Sequence, residues 1–411
     1  MTHLEPHSVS DACTALLAAV QVQPSLRVPL ADAVGHVLAE EIFAPIPLPP
    51  WTNAAMDGYA VHAADVRGAS ATSPVSLRVV AVVAAGDAPS RALQRGEAVR
   101  VYTGAAVPEG ADSVVRQEDS DRGIDDVVIH HDRDAGANVR PLGGDLARGA
   151  VALVSGTVLG PHQLALLAAL AVAHPVVRRK PRVGLLTGGD EVVSLDHREQ
   201  ILDGTRLSDV NGPALTALIN EAGGVAVPLG LVPDDPDALD AAVSAARDID
   251  LLITAGGVSV GDRDHVREVM RRQRVTAVID RVRIRPGGPT AFGMLPDGRG
   301  WLALPGNPVS AMVTFELFAR PVIRRMAGHP EPRRRAIRVR LERAVTRDAR
   351  LELYPRVTLA WPADGGLPLA RLTGPQGSGI LTSIARSDGL LIVAPGSGAL
   401  QQEGWVLPHG P

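Results

Sequence analysis

The sequence predicts a multidomain α/β protein: a doubly wound α/β domain, a small mostly-β domain, a linker domain of helix and extended chain, and a C-terminal unit like a β barrel. Three observations carry this reading. From Pro181 to Met326 short apolar strands alternate with amphipathic helices, the rhythm of a parallel sheet covered on both faces. From Trp51 to about Pro141 short β-like runs are separated by Gly, Pro and Asp turns. After Met326 a linker with Gly328, Pro330 and Pro332 leads into alternating segments, Ile337 to Leu341, Val357 to Ala360 and Leu390 to Ala394. At 411 residues the chain is also too long for one core. The expected boundaries are 1–47 with 142–179 for the discontinuous linker domain, 48–141 for the β domain, 180–327 for the α/β domain and 328–411 for the last.

In chain order, Ser10 to Val22 reads as an amphipathic helix with Ser10 as N-cap and Ala12, Leu16, Leu17 and Val20 on one face. Leu30 to Leu38 reads as a second helix, and the prolines of PIPLPPW then force an extended crossing. Strands are expected at Ser76 to Val83, Ala98 to Tyr102 and Val127 to His130. Leu164 to Ala173 reads as a buried helix, far too short to span a bilayer. Arg182 to Leu186 is a strand, Asn211 caps a helix carrying Leu215, Leu218, Ile219 and Ala222, and Asp235 caps the next. Leu251 to Ile253 and Trp301 to Leu304 are buried strands.

Composition narrows the function classes. Forty-one basic against 45 acidic residues give no reason to invoke nucleic acid or a membrane surface. Cys13 is the only cysteine, which excludes an intramolecular disulfide and any cysteine-built metal site, and a reducing cytoplasmic home is expected. No GxxxxGK[ST] phosphate loop is present.

The chemistry points to loops at strand ends. Gly256 and Gly257 open a loop that closes on Gly261, Asp262 and Asp264; glycine allows backbone amides to converge on an anion, and the carboxylates suit a hard cation. Gly188, Gly189, Asp190 and Glu191 repeat the layout, and Pro305, Gly306, Asn307 and Pro308 form a rigid turn before a helix near Val309. Ligands of parallel sheets sit beyond the carboxyl ends of the strands, so three loops are expected to meet in one crevice. Asp190 and Glu191 read as Mg²⁺ ligands or as turn acids, and Asp209 as a helix cap. Arg281, Arg283 and Arg285 alternate on one strand face, as an oxyanion grip or a solvated edge. The run Arg333 to Arg335 reads as a solvated linker face.

Taken together, eight segments in order resemble the molybdenum insertase family, bacterial MoeA proteins and the E domain of gephyrin: LPPWTNAAMDGYAV, VRVYTGAAVPEGADSVVRQED, VRPLGGDLARG, PRVGLLTGGDEV, LSDVNGPAL, GGVSVGDRD, RIRPGGPTAFG and LPGNPVSAMVTFELF. The resemblance implies a MogA/MoaB-like α/β domain that binds adenylylated molybdopterin, and a homodimer whose active site is shared between subunits. It implies insertion of molybdate into the pterin dithiolene with Mg²⁺-dependent loss of AMP. A MogA-type adenylylating protein and recipient molybdoenzymes are the implied partners. By motif position, Asp57, Thr103, Asp145 and Glu191 are the expected catalytic residues. Substrate contacts are expected from Gly188, Gly189, Asp190, Asp209, Gly256, Gly257, Ser259 and Asp262, from Arg281 and Arg285, from Pro305 to Pro308 with Ser310, and from Arg356 and Ser383. Asp190, Glu191 and Asp262 are the expected metal ligands.

Departures from the family pattern define an alternative. Gly288 stands where the family has a second lysine, Gly144 where it has glutamate, and Ala54 where it has serine, while Arg263 and His265 replace aromatic residues. A catalytically weakened paralogue that binds or carries molybdopterin or its metal-loaded form is the alternative expectation.

Overall fold

The computed structural model describes residues 5–256 and 265–410. Its first helix, α1 (Val9–Ala19), begins two residues before the expected Ser10 cap: the Ser8 hydroxyl oxygen accepts the amide of Asp11, and Ala12, Cys13 and Leu16 are buried. Leu30 to Leu38 is not a helix. A single 3₁₀ turn at Leu30–Asp32 ends at Ala33, and Gly35, with a φ of 73°, then turns the chain off the helical path. Val37 and Leu38 then pair, extended, with Val158 and Val177. Two antiparallel ribbons follow the same course: Ser25–Arg27 on Val176–Arg178, and Ile42–Phe43 on Val151–Leu153.

Between the two arms of these ribbons lies a five-stranded sheet: β1 (Gly58–Val61), β2 (Val75–Val83), β3 (Glu97–Val101), β4 (Ser113–Arg116) and β5 (Asp126–Ile129), in spatial order β4-β1-β3-β2-β5. Both its faces are covered, one by Tyr59, Val115 and Ile129, the other by Val99, Val101 and Val114. The chain enters and leaves this unit side by side, the Leu48 amide donating to the carbonyl of Leu146 at 2.8 Å. Helix α2 (Pro161–Ala169) then returns toward the ribbons, with Leu167 its one fully covered residue, so it is less buried than the sequence predicts.

A salt-bridged carboxylate stands at the start of the central strand β3. Glu97 accepts Arg91 at 2.6 Å, Arg78 at 2.8 Å and the Gln94 amide, and these bonds, Arg91 first, pull its carboxyl down to about 2. A depressed folded-state pKa adds stability above the unfolded value near 4.3, which is lost as pH falls through the folded one. Urea unfolding of the protein and of Glu97→Gln is therefore expected to differ at neutral pH and to converge between about pH 4.3 and pH 2. Parallel curves across that window would show that the pairing is not felt in stability.

The α/β domain is built on six strands. Five are β6 (Arg182–Gly188), β7 (Val225–Val232), β8 (Leu251–Ala255), β9 (Thr276–Ile279) and β10 (Ala291–Met294); with β11 (Gly300–Leu304) they stand in order β7-β6-β8-β11-β10-β9. Strands β7, β6, β8 and β11 are parallel, but β10 runs antiparallel to β11, so the sheet is mixed rather than purely parallel. The cause is local: Pro296-Asp297-Gly298 turns the chain straight back, with Leu295 and Arg299 joined at 2.8 Å and Gly298 at φ 89°. Alternation sorts the side chains. Leu251, Ile253, Leu302 and Leu304 face α1, α3 (Asn211–Glu221) and the C-terminal helices. Leu252, Trp301 and Ala303 face α4 (Pro236–Ala245) and α5 (His265–Arg272).

The chain then runs through α6 (Pro308–Thr314), a π-helical stretch Phe315–Ala319 and α7 (Arg320–Met326). Arg334 is not on a solvated face as expected. It reaches back to Glu316 at 2.7 Å and Glu221 at 3.1 Å and also bonds the carbonyl of Gly410. The C-terminal unit is a closed barrel of β12 (Ile337–Leu341), β13 (Arg356–Ala360), β14 (Leu369–Leu372), β15 (Gly389–Ile392) and β16 (Glu403–Pro408), ordered β12-β14-β13-β15-β16. No helix among the described residues is long and apolar enough to cross a membrane.

Candidate active-site cleft

Strands β7 and β8 lie on opposite sides of β6, so the loops beyond β6 and β8 diverge and leave a crevice at their carboxyl ends. A cleft of ≈ 690 Å³ occupies it. Gly188, Gly189 and Gly256 form its floor, and Pro305, Gly306, Asn307 and Pro308 one wall, so the three expected loops do converge as far as they are described. Glycine is required at the floor: a Cβ on Gly188 would lie 1.9 Å from the carbonyl oxygen of Val232, and Gly256 adopts φ 118°.

Three carboxylates reach the cleft. Glu191 stands exposed at the rim, with no side-chain partner among the described residues. Asp209 is tied down, one oxygen accepting the Thr187 hydroxyl at 3.0 Å and the other the Gly212 amide at 2.9 Å. The α3 helix is therefore capped by Asp209 rather than by Asn211, whose side chain instead donates to the carbonyl of Gly306 at 2.8 Å and fastens two walls together. The third carboxylate, Asp234, was not singled out from the sequence. It follows β7, and the same rule that selects loops after strands selects it once β7 is known to be β6's neighbour.

Other expected residues fall elsewhere. Asp190 turns away, its carboxylate accepting the Asp234 amide at 3.0 Å and its carbonyl accepting Arg206. Ser310 is buried in α6. Arg281 and Arg285 are exposed, alternating with buried Val282 and Ile284, and neither lines the cleft; Arg285 instead faces Asp348 at 3.6 Å. Arg356 is 1% exposed and donates to Ser383 at 3.1 Å and to the carbonyl of Gly377 at 3.1 Å. It therefore braces the barrel loop whose Gly379 and Leu381 close the cleft. Gly257, Ser259 and Asp262 lie outside the described residues.

Asp57 and Thr103 form a second centre on the five-stranded unit. One carboxylate oxygen of Asp57 accepts both the amide and the hydroxyl of Thr103, each at 2.7 Å. Those two bonds, the amide first, with the charge of Arg100 behind them, hold the Asp57 carboxyl below its usual range. The Asp145 loop is stitched to the segment leading into Asp57: Asp145 donates its amide to Leu48, Gly143 to Pro49 and Leu142 to the Thr52 hydroxyl. None of Asp57, Thr103 and Asp145 lines the cleft of its own chain.

The comparisons with known proteins agree with this arrangement. Residues 7–171 match the model of the MoeA N-terminal region (domain I and II), 184–325 that of a probable molybdopterin binding domain, and 331–404 that of the MoeA C-terminal region (domain IV). A Nostoc sp. molybdopterin molybdenumtransferase is 36% identical over 373 residues, covering 90% of this chain and 85% of that one. Molybdopterin molybdenumtransferase 2 of Mycobacterium tuberculosis is 37% identical over 315 residues, 75% and 77% of the two chains. The crystal structure of the moeA protein of Pyrococcus horikoshii has a TM-score of 0.82 at 27% identity, over 98% of this chain and 100% of that one. The glycine-floored cleft of a doubly wound sheet, joined to a β unit and a barrel, is thus the framework of a molybdopterin-binding transferase. The chain belongs to the MoeA family of molybdopterin molybdenumtransferases, which act in molybdenum cofactor biosynthesis.

Proposed function

We propose that this chain inserts molybdate into the dithiolene of adenylylated molybdopterin with loss of AMP. The observation that supports this most is the cleft itself: a glycine floor for backbone amides to meet phosphate, and a rim with Glu191, Asp209 and Asp234. These are hard oxygen donors suited to Mg²⁺, which binds through one or two carboxylates plus phosphate and water. Glu191 and Asp234 would hold it, with Asp262 as a further donor; bound there, Mg²⁺ neutralises phosphate charge. Among the described residues no three His, Cys, Asp or Glu side chains are grouped closely enough to hold an ion alone. Glu191 orients the reacting groups from the rim, while Asp209 and Asn211 keep the walls in register.

The active form in this reading is a homodimer, the β unit of one copy presenting Asp57, Thr103 and Asp145 to the cleft of the other. Two facts support it: these residues do not line their own cleft, and the ribbons bear exposed apolar side chains, Phe43 at 56% and Val151 at 45% among them. A MogA-type adenylylating protein would supply the substrate and cytoplasmic molybdoenzymes receive the product. The division at residues 48, 142, 180 and 328 belongs to this reading, with α1 packing on the α/β sheet although it precedes residue 48. A carrier role is the second reading, favoured by Gly288, which places no cation beside the Pro286 turn, and by Arg285 facing Asp348.

Single-turnover conversion of adenylylated molybdopterin with Mg²⁺, titrated with molybdate and followed by AMP release, tests the choice. Molybdate-dependent release supports the insertase; tight pterin binding with no release at any molybdate concentration supports the carrier.

A further inference from the structure

Arg100 sits on β3 directly across from Tyr59 of β1, in the antiparallel pairing that sets Gly58 opposite Val101. Its guanidinium lies 5.0 Å from the centre of the Tyr59 ring and 5.8 Å from that of Tyr102. It donates to the Tyr59 hydroxyl at 2.6 Å and to the side-chain oxygen of Gln117 at 2.8 Å. Each of these partners is fixed in turn. Tyr59 is fully buried and donates to the carbonyl of Gly123 at 2.9 Å, and the Gln117 amide donates to the carbonyl of Asp57 at 3.0 Å. Tyr102 is 41% exposed and is the residue before Thr103.

We propose that Arg100 is the positioning residue of the Asp57–Thr103 pair, clamping the Asp57 backbone through Gln117 and the Thr103 loop through Tyr102 while its charge faces the carboxylate. The proposal rests on the reading that Asp57 belongs to the active site, and it assigns to that site an arginine that touches neither substrate nor cleft. A guanidinium suits this place because its separate N–H groups reach the Tyr59 hydroxyl and the Gln117 oxygen at once, while its charge lies over the Tyr59 and Tyr102 rings. The other charged groups of the neighbouring strand and turn are engaged elsewhere. Arg116 on β4, which pairs with Gly58, is held by Asp134 at 2.9 Å, and Glu118 accepts the Gln117 side chain at 3.3 Å. Arg100 thus supplies the opposing charge on the β3 side of Asp57, and Thr103 supplies the two hydrogen bonds.

The test is the titration of Asp57, followed by carboxyl ¹³C resonances of aspartate-labelled, ligand-free protein and assigned by loss of the signal in Asp57→Asn. In Arg100→Gln the midpoint is expected to rise, and Arg100→Lys, which keeps the charge but not the fork, to recover part of the shift. Tyr102→Leu, a change at an exposed ring, is expected to give a smaller rise and serves if Arg100→Gln does not fold. For molybdate-dependent turnover, kcat of Arg100→Gln is expected to fall on the order of tenfold with KM little changed, and the acid limb of its pH profile to move with the Asp57 midpoint. An unchanged midpoint in both Arg100→Gln and Tyr102→Leu overturns the proposal. A shifted midpoint with unaltered turnover supports the clamp and overturns instead the placement of Asp57 in the reaction.

Discussion

Glu191→Gln is expected to lower molybdate-dependent AMP release on the order of 100-fold or more while leaving the binding of adenylylated molybdopterin within about threefold. The substitution keeps the shape of the side chain and removes its charge. Because the Glu191 carboxylate has no protein partner among the described residues, nothing internal is broken, and stability should stay within about 0.5 kcal/mol of the parent. That separation makes the experiment informative. Asp209→Asn would also disturb the cleft, but through the Thr187 hydroxyl and the α3 cap, so a lost activity there would not distinguish chemistry from support. Single-turnover assays beside equilibrium binding of the pterin check the expectation for Glu191, and unchanged turnover would remove it from the reaction.

The largest effect on stability is expected at Glu316. It lies in the π-helical stretch with its carboxylate buried, 2.7 Å from Arg334 and 3.6 Å from Arg320. Both arginines also approach Glu221, at 3.1 and 3.5 Å, and Arg324 lies half-buried beside them. Glu316→Gln leaves three guanidinium groups around one remaining carboxylate, itself partly exposed. Removing one partner of a buried ion pair typically destabilises by about 3–5 kcal/mol, because the charges left behind stay desolvated. Urea unfolding measured by loss of α/β-domain tryptophan signal should show the full drop. A change below about 1 kcal/mol would mean that water reaches these arginines and screens them.

Much of the α/β domain was legible because its signals are local. The run Leu251 to Ile253 and the Gly and Pro loops after Leu186 and Leu304 depend on neighbours in sequence, and they are where expected, as is Gly256 at the end of β8. What was not legible depends on contacts distant in sequence. Leu30 to Leu38 has helical spacing, yet its apolar residues are claimed by bridges to Val158 and Val177, more than a hundred residues away. Arg334 sits in a charge run that reads as solvated until Glu316 and Glu221 are placed opposite it. Asp234 became a cleft residue only through the pairing of β7 with β6. The antiparallel β10 is a different case: Pro296-Asp297-Gly298 announces a reversal, and the alternating rhythm around it masks that signal.

The point where the chain enters and leaves the five-stranded unit has an evolutionary consequence. Leu48 and Leu146 are hydrogen-bonded neighbours, so the ninety-odd residues between them occupy one gap in an otherwise continuous framework. A segment whose two ends already touch can be lengthened, exchanged with a relative's or rebuilt in a single recombination event, without rethreading the remainder or stretching a connection. The unit that carries Asp57, Thr103 and Asp145 is thereby free to diversify at its own pace, while the glycine-floored cleft, woven from strands scattered along the sequence, is not.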